Sequence, residues 1–243
     1  MSLLSILFKS YKSAKPPTCT AVIAASGLSQ RCEGEDKLFY QINEKPVLAY
    51  TLETFQNCKL INDIIIVTRE DKFEDIGNLC FKYGFKKVSK VIKGGSVRSE
   101  SVMNGIYAAN KKAHLIAIHD GARPCLSADI LEKTIHAASK YQAAAPAVSI
   151  SSTIKKIKNG VIAETVNREG LYEIQTPQIF RAEIIKAALT NAMRKSLEIT
   201  DDCMAAEIIG VPVHVVEGSR KNIKITNNED LKIVEAFLKE DEV

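Results

Sequence analysis

Three short segments carry residue types whose spacing could do chemistry on phosphates. The first is Ala25-Ser26-Gly27-Leu28-Ser29-Gln30-Arg31, with Lys37 six residues further on. Small residues and a glycine at the end of an apolar run let backbone N–H groups approach phosphate oxygens. Arg31 and Lys37 would then supply charge to a triphosphate. Neither G-x-x-x-x-G-K-S/T nor G-x-G-x-x-G occurs, so this is no P-loop and no dinucleotide fingerprint. Alone, it would equally suit a surface turn carrying basic residues. The second segment is Gly94-Gly95-Ser96-Val97-Arg98-Ser99-Glu100-Ser101. Paired glycines before a helix that opens with Arg and Ser suit contact with a base or ribose, and a flexible turn with a serine cap has the same signature.

The third segment is His119-Asp120-Gly121-Ala122-Arg123-Pro124. An acid at the end of a buried strand, followed by Gly and a rigidifying Pro, can hold a metal or a substrate hydroxyl, and Arg123 would face a phosphate. The alternative is Asp120 as a turn cap with Arg123 as its ion-pair partner; the position at a strand end favours function. His119 reads as a packing residue, and His114, His136 and His214 as surface or half-buried side chains.

Alternating strands and helices must position these segments. Apolar, β-branched runs predict strands over 20–25, 61–68, 87–92, 114–119 and 143–150. Helical spacing predicts helices over 46–55, 70–83, 98–111 and 129–140. Near-continuous apolar strands separated by helices imply a mostly parallel sheet covered on both faces, a three-layer α/β fold of Rossmann-like kind. Ligands of such sheets lie beyond the carboxyl ends of the strands, where all three segments fall. Residues 153–158 and 161–166 flank Asn159-Gly160 and read as a hairpin with too few apolar residues for the core, so it should project. The α/β pattern resumes with a strand over 174–180, helices over 181–195 and 200–209, strands over 213–217 and 223–226, and a closing helix from Asn228.

Composition narrows the function classes. The chain has 243 residues, 46% hydrophobic and 26% charged, which suits a soluble globular enzyme. A net charge of +4 with dispersed basic residues and no Trp suits an anionic small substrate, not a nucleic acid. The six cysteines show no C-x-x-C and no zinc-ligand spacing, which points to a reducing, cytoplasmic setting. No stretch reaches membrane-spanning length. Residues 1–17 read as a loosely ordered leader, and 18–243 as a single domain with its arm at about 151–168.

Taken with Ile174-Gln175-Thr176-Pro177-Gln178, Ile199-Thr200-Asp201-Asp202 and Asn222-Ile223-Lys224-Ile225-Thr226, the order and spacing of the motifs resemble the 2-C-methyl-D-erythritol 4-phosphate cytidylyltransferases, from about Thr18 to Leu238. The resemblance implies a nucleotidyltransferase sheet, transfer of CMP from CTP to a polyol phosphate, a homodimer, and magnesium or another divalent cation. It assigns Ala25, Ser26, Gly27, Arg31 and Lys37 to the CTP phosphates, and Gly95, Ser96 and Ser101 to the cytidine. Asp120 would stand where metal, nucleotide and second substrate meet, and Arg123, Thr176, Thr200 and Lys224 would hold the methylerythritol phosphate. Thr153 and Arg168 match arm residues that reach into the partner subunit's site. Ser26, Ser29, Cys32, Asp36 and Ser96 depart from the residues common in that family.

A phosphate monoester is already ionised near neutral pH and needs no general base. Catalysis then rests on in-line alignment and charge neutralisation by Arg31, Lys37, Lys224 and a metal near Asp120. The rival readings are a ribitol 5-phosphate cytidylyltransferase, a non-catalytic nucleotide-sensing domain, and an NAD-linked dehydrogenase, which the missing glycine fingerprint disfavours.

Overall fold

The computed structural model describes residues 18–27 and 36–240. The expected leader, Arg31 and Cys32 lie outside them.

The parallel half of the sheet follows from its most apolar runs. β1 (Cys19–Ala25) lies between β4 (Ile61–Thr68) and β6 (Leu115–Asp120), parallel to both, and β5 (Val88–Lys93) extends the sheet parallel to β4. Alternate side chains of these strands serve opposite faces. Ile23, Ile64, Ile66 and Ala117 enter one core, beneath α1 (Val47–Asn57), α2 (Phe73–Tyr83), α4 (Ala128–Tyr141) and α7 (Asn228–Glu240). Val22, Ile65, Val67 and Ile118 enter the other, beneath α3 (Arg98–Ala108), α5 (Ala182–Arg194) and α6 (Asp202–Ile208). This is the expected three-layer arrangement.

Beyond β6 the direction reverses. β11 (Gln178–Arg181) inserts antiparallel between β6 and β7 (Ala143–Ser149). β10 (Tyr172–Ile174) runs antiparallel along the same edge of β7, and β12 (His214–Glu217) lies parallel to its other edge. The single strand expected over 174–180 is therefore two short strands. Pro177 follows a cis peptide and has no N–H for a ladder, and Gln175 turns its amide to the 219–222 loop. The strand expected over 223–226 pairs with no strand among the described residues; the Ile225 N–H ties the segment to the Ala122 carbonyl.

Smaller corrections concern element ends. The helix expected over 70–83 opens with a 3-10 turn at Glu70–Lys72, and the one expected to Lys111 stops at Ala108. A two-residue ladder, β2 (Gln41–Ile42) with β3 (Lys45–Pro46), precedes α1 and is too short for a pattern to reveal. The 153–166 hairpin is present as β8 (Ile154–Lys158) and β9 (Val161–Val166), which pair only with each other. It stands clear of the core, with Ile157, Val161 and Ile162 near its tip well exposed.

α3 packs tightly because Gly105 faces the sheet: a Cβ there would lie 2.4 Å from Val22 Cγ1 and 3.0 Å from Val67 Cγ2. Gly105→Ala adds about 1 kcal/mol of helix propensity. The two stiff valines cannot yield cheaply, and overpacking costs roughly 1–3 kcal/mol. Denaturant titration should show a net loss of about 1 kcal/mol; a gain would mean that α3 can shift outward without cost.

Candidate active site

The cleft opens at the carboxyl ends of β1, β5 and β6, with a volume of about 570 Å³. Ser26, Gly27, Gly95, Ser96 and Ser101 form one wall. The Ser101 hydroxyl organises it, accepting from the Gly95 N–H (3.0 Å) and Ser26 Oγ (3.1 Å) and donating to the Val97 carbonyl (3.2 Å). Ser96 donates through its N–H and hydroxyl to Glu100 Oε2, fixing the approach to α3. Both glycines are required for closeness: a Cβ on Gly94 would lie 2.8 Å from Ser101 Oγ, and one on Gly95 2.3 Å from Glu100 Cβ. Arg69, just past β4, donates to the Gly27 carbonyl (3.2 Å) and pairs with Asp36 (3.3 Å), bracing two parts of the rim.

The cleft also has a cationic lining. Lys37, Arg98 and Lys224 supply it, and Asp120 is the acidic residue among the described lining positions. Lys37 Nζ donates to the Ile225 carbonyl at 2.9 Å, which ties the first motif to the last. Asp120 Oδ2 lies 3.1 Å from Lys224 Nζ and 3.5 Å from Arg123 Nε, and its Oδ1 lies 3.7 Å from Arg98 Nε. Burial would raise this carboxyl, but Lys224, Arg98 and Arg123 together outweigh it and hold it at about 2. Asp120 is thus ionised throughout the neutral range.

A hydrogen-bonded layer behind Asp120 locks the wall. The Asp120 N–H donates to Thr176 Oγ1 (3.2 Å), which in turn donates to His119 Nδ1 (2.9 Å). His119 Nε2 faces the Arg123 carbonyl at 3.3 Å, an acceptor only, so the ring proton sits on Nε2. Gln175 bonds both main-chain groups of Ser219 and accepts from Asn222, while Gln178 accepts from the N–H groups of Asp202 and Cys203 and donates to Asp201, the N-cap of α6. The two glutamines of this motif therefore bolt the last two motifs to the sheet.

Burial, with Arg123 adding to it, overcomes Asp120 and depresses the His119 imidazole to about 4. Unfolding restores its ordinary affinity, so the stability it contributes is complete above a pH of about 6.5 and is lost as pH falls toward 4. Urea titrations without divalent metal should show a loss of about 2 kcal/mol between pH ~7 and ~5. His119→Gln should flatten that slope; an unchanged slope would assign it to other groups.

The sequence model of the family described as 2-C-methyl-D-erythritol 4-phosphate cytidylyltransferase matches residues 19–240. The chain belongs to that family. A 2-C-methyl-D-erythritol 4-phosphate cytidylyltransferase of Clostridium botulinum (strain Okra / Type B1) is 41% identical over 221 residues, covering 90% of this chain and 96% of the relative. That of Clostridium acetobutylicum is 40% identical, covering 93% and 99%. The crystal structure of 4-diphosphocytidyl-2C-methyl-D-erythritol synthase from Anaerococcus prevotii DSM 20548 superposes with a TM-score of 0.81 at 31% identity, covering 92% of this chain and 97% of that one.

Within this cytidylyltransferase frame, Ala25, Ser26, Gly27, Lys37, Gly95, Ser96, Ser101, Asp120 and Lys224 converge on the cleft. Arg31 lies outside the described residues. Arg123, expected to face a phosphate, is buried behind Asp120, its Nη1 donating to the Asn222 carbonyl at 2.6 Å. Thr176 is buried beside it and orients Asp120. Thr200, Thr153 and Arg168 are exposed and do not line the cleft of their own chain. Arg168 donates instead to the Ser151 carbonyl at the base of the arm. Arg98 and Thr226 also line the cleft, yet the residues alone did not single them out as ligands. Both sit inside recognised motifs, which was the available signal.

No group of three or more metal-ligating side chains occurs among the described residues. Asp120 is the one carboxylate among the described lining residues that would hold a cation carried in on a triphosphate. No described helix is long and apolar enough to cross a membrane.

Proposed function

We propose that the chain transfers CMP from CTP to 2-C-methyl-D-erythritol 4-phosphate, giving 4-diphosphocytidyl-2-C-methyl-D-erythritol and pyrophosphate in isoprenoid precursor synthesis. The observation that carries the reading is one cleft joining a serine and glycine wall to a cationic wall around an ionised Asp120. The substrate names come from the family to which the chain belongs.

An oxygen of the polyol phosphate forms a bond to the α-phosphorus of CTP as the bond to the β-phosphate oxygen breaks. The electron pair leaves with pyrophosphate. Lys37 and Lys224 offset charge on the phosphoryl oxygens, and Arg31 is assigned the same task by resemblance. Ser26, Gly27, Gly95, Ser96 and Ser101 seat the nucleotide. No proton has to be removed from the nucleophile, and the nearest imidazole, His119, is sealed behind the wall. Asp120 is the residue that would hold magnesium brought in with the triphosphate, and the ion would supply further neutralisation of phosphate charge.

The arm, at about residues 151–168 of a single catalytic domain spanning 18–243, reaches a second copy of the chain. Its apolar tip and its lack of any sheet neighbour support this, since a lone two-stranded hairpin is marginal in water. Thr153, Arg168, Thr200 and Arg123 then serve the second substrate, the arm residues acting in the partner's cleft. Buried Cys19, Cys58 and Cys203, none in a disulfide, suit a cytoplasmic setting.

The test is incubation with CTP, magnesium and either 2-C-methyl-D-erythritol 4-phosphate or ribitol 5-phosphate, with products identified by mass. Diphosphocytidyl-methylerythritol should form and should vanish in EDTA. Turnover of ribitol 5-phosphate alone would replace the substrate assignment, and turnover of neither would overturn catalysis.

A further inference from the structure

Arg98 and Asp202 form an ion pair whose two halves live in different environments. Asp202, at the start of α6, is fully buried, and its Oδ2 accepts from Arg98 Nη2 at 2.8 Å. Among the described residues its Oδ1 has no hydrogen-bond partner. Burial pushes this carboxyl up while Arg98 pulls it down. Arg98, the first residue of α3, keeps 32% of its side chain exposed and lines the cleft, with Nε 3.7 Å from Asp120. Its Nη1 has no hydrogen-bond partner among the described residues.

A buried carboxylate with one unsatisfied oxygen is an expensive way to join two helices, and replacing such a pair with apolar groups is often neutral or stabilising. The cost is intelligible if the pair orients a cation toward a ligand. Asp202 fixes one Nη of the guanidinium fork, and the other remains for an anion in the cleft. Lys37 and Lys224 are single ammonium groups on flexible stems, whereas this fork has a set direction.

We infer that Arg98 contacts a phosphate of the bound nucleotide and that Asp202 is a positioning residue acting through Arg98. The inference rests on the reading that the cleft binds a triphosphate. Asp120 is the acid among the described residues lining the cleft, and Arg98 lies between it and Asp202. The guanidinium therefore also keeps two carboxylates from facing each other across the nucleotide seat.

Asp202→Asn keeps the shape and removes the charge. With the guanidinium no longer fixed, kcat should fall about 10²-fold. Affinity for inorganic pyrophosphate, measured by calorimetry, should fall about tenfold. Arg98→Ala would leave the buried Asp202 carboxylate with neither counter-charge nor donor, so the partner variants are Arg98→Gln, which keeps an amide donor, and Arg98→Gln with Asp202→Asn, which leaves no buried charge. If Asp202 acts through Arg98, the double variant is no worse in kcat or pyrophosphate affinity than Arg98→Gln alone. Losses that multiply, or an Asp202→Asn protein of lowered melting temperature with unchanged kcat and pyrophosphate affinity, would show a structural staple and overturn the inference. If wild type turns over neither polyol phosphate yet the variants bind pyrophosphate more weakly in this pattern, the proposed reaction fails and the phosphate role of Arg98 stands.

Discussion

Lys224→Ala should lower turnover of CTP by roughly 10²–10³-fold, the effect of losing one preorganised charge contact, while stability stays within about 1 kcal/mol of wild type. Lys224 Nζ sits 3.1 Å from Asp120 Oδ2 with 39% of the side chain exposed, so it belongs to the cleft surface and not to the core. Removing it leaves Arg123 and Arg98 beside Asp120, so the carboxylate stays compensated and the fold tolerates the change. The transition state has no such reserve, because its charge develops inside the cleft. Lys224→Met keeps the stem and loses the charge, so it should fail as badly as alanine. Pyrophosphate release measured with magnesium at saturating CTP reads the effect directly. Near-normal turnover in both variants would remove Lys224 from the chemistry.

Two inactive variants should partly cure each other. If the arm of one subunit completes the cleft of its partner, each site takes Lys37 from one chain and Arg168 from the other. Lys37→Ala removes nucleotide activation, and the Nζ bond to the Ile225 carbonyl with it. Arg168→Ala removes a guanidinium that is exposed and away from its own cleft, so in a monomer it should matter little. Each homodimer should therefore be nearly inactive, but a mixed dimer carries one intact site. Random exchange makes half of the dimers mixed and half of their sites whole, so equal mixing recovers about a quarter of wild-type activity. No recovery after confirmed exchange would falsify the shared site. A monomer by light scattering, with Arg168→Ala fully active, would give the same answer sooner.

The parallel half of the fold was legible because its information is local. Residues 64–67 and 115–118 are apolar throughout and buried, which a strand covered on both faces demands. The antiparallel half was misread where side chains bond across the chain. Ile174 to Phe180 looks like one strand until Gln175 and Gln178 are seen holding the 219–222 loop and α6. Ile223 and Ile225 alternate as strand residues should, and Ile225 is buried, but no strand among the described residues pairs with them.

The site divides the same way. Glycines and serines that let phosphates approach announce themselves by spacing. Arg98 does not, since its meaning depends on an acid 104 positions away. Arg123 is the reverse case: its type alone suggests a phosphate, and only the structure adds that it is a buried brace for Asp120.

The insertion of β11 between β6 and β7 has a consequence for synthesis on the ribosome. β6 and β7 emerge first, yet they pair through β11, which is made later. Until residues 178–181 leave the exit tunnel, β6 presents an open backbone edge made of some of the most apolar sequence in the molecule. Folding of the nascent chain can complete the β5-β4-β1-β6 half early, but closure waits for this one short strand. Translation that stalls between residues 120 and 178 would release a sticky half-sheet, so the interval in which a chaperone is needed is written into the strand order.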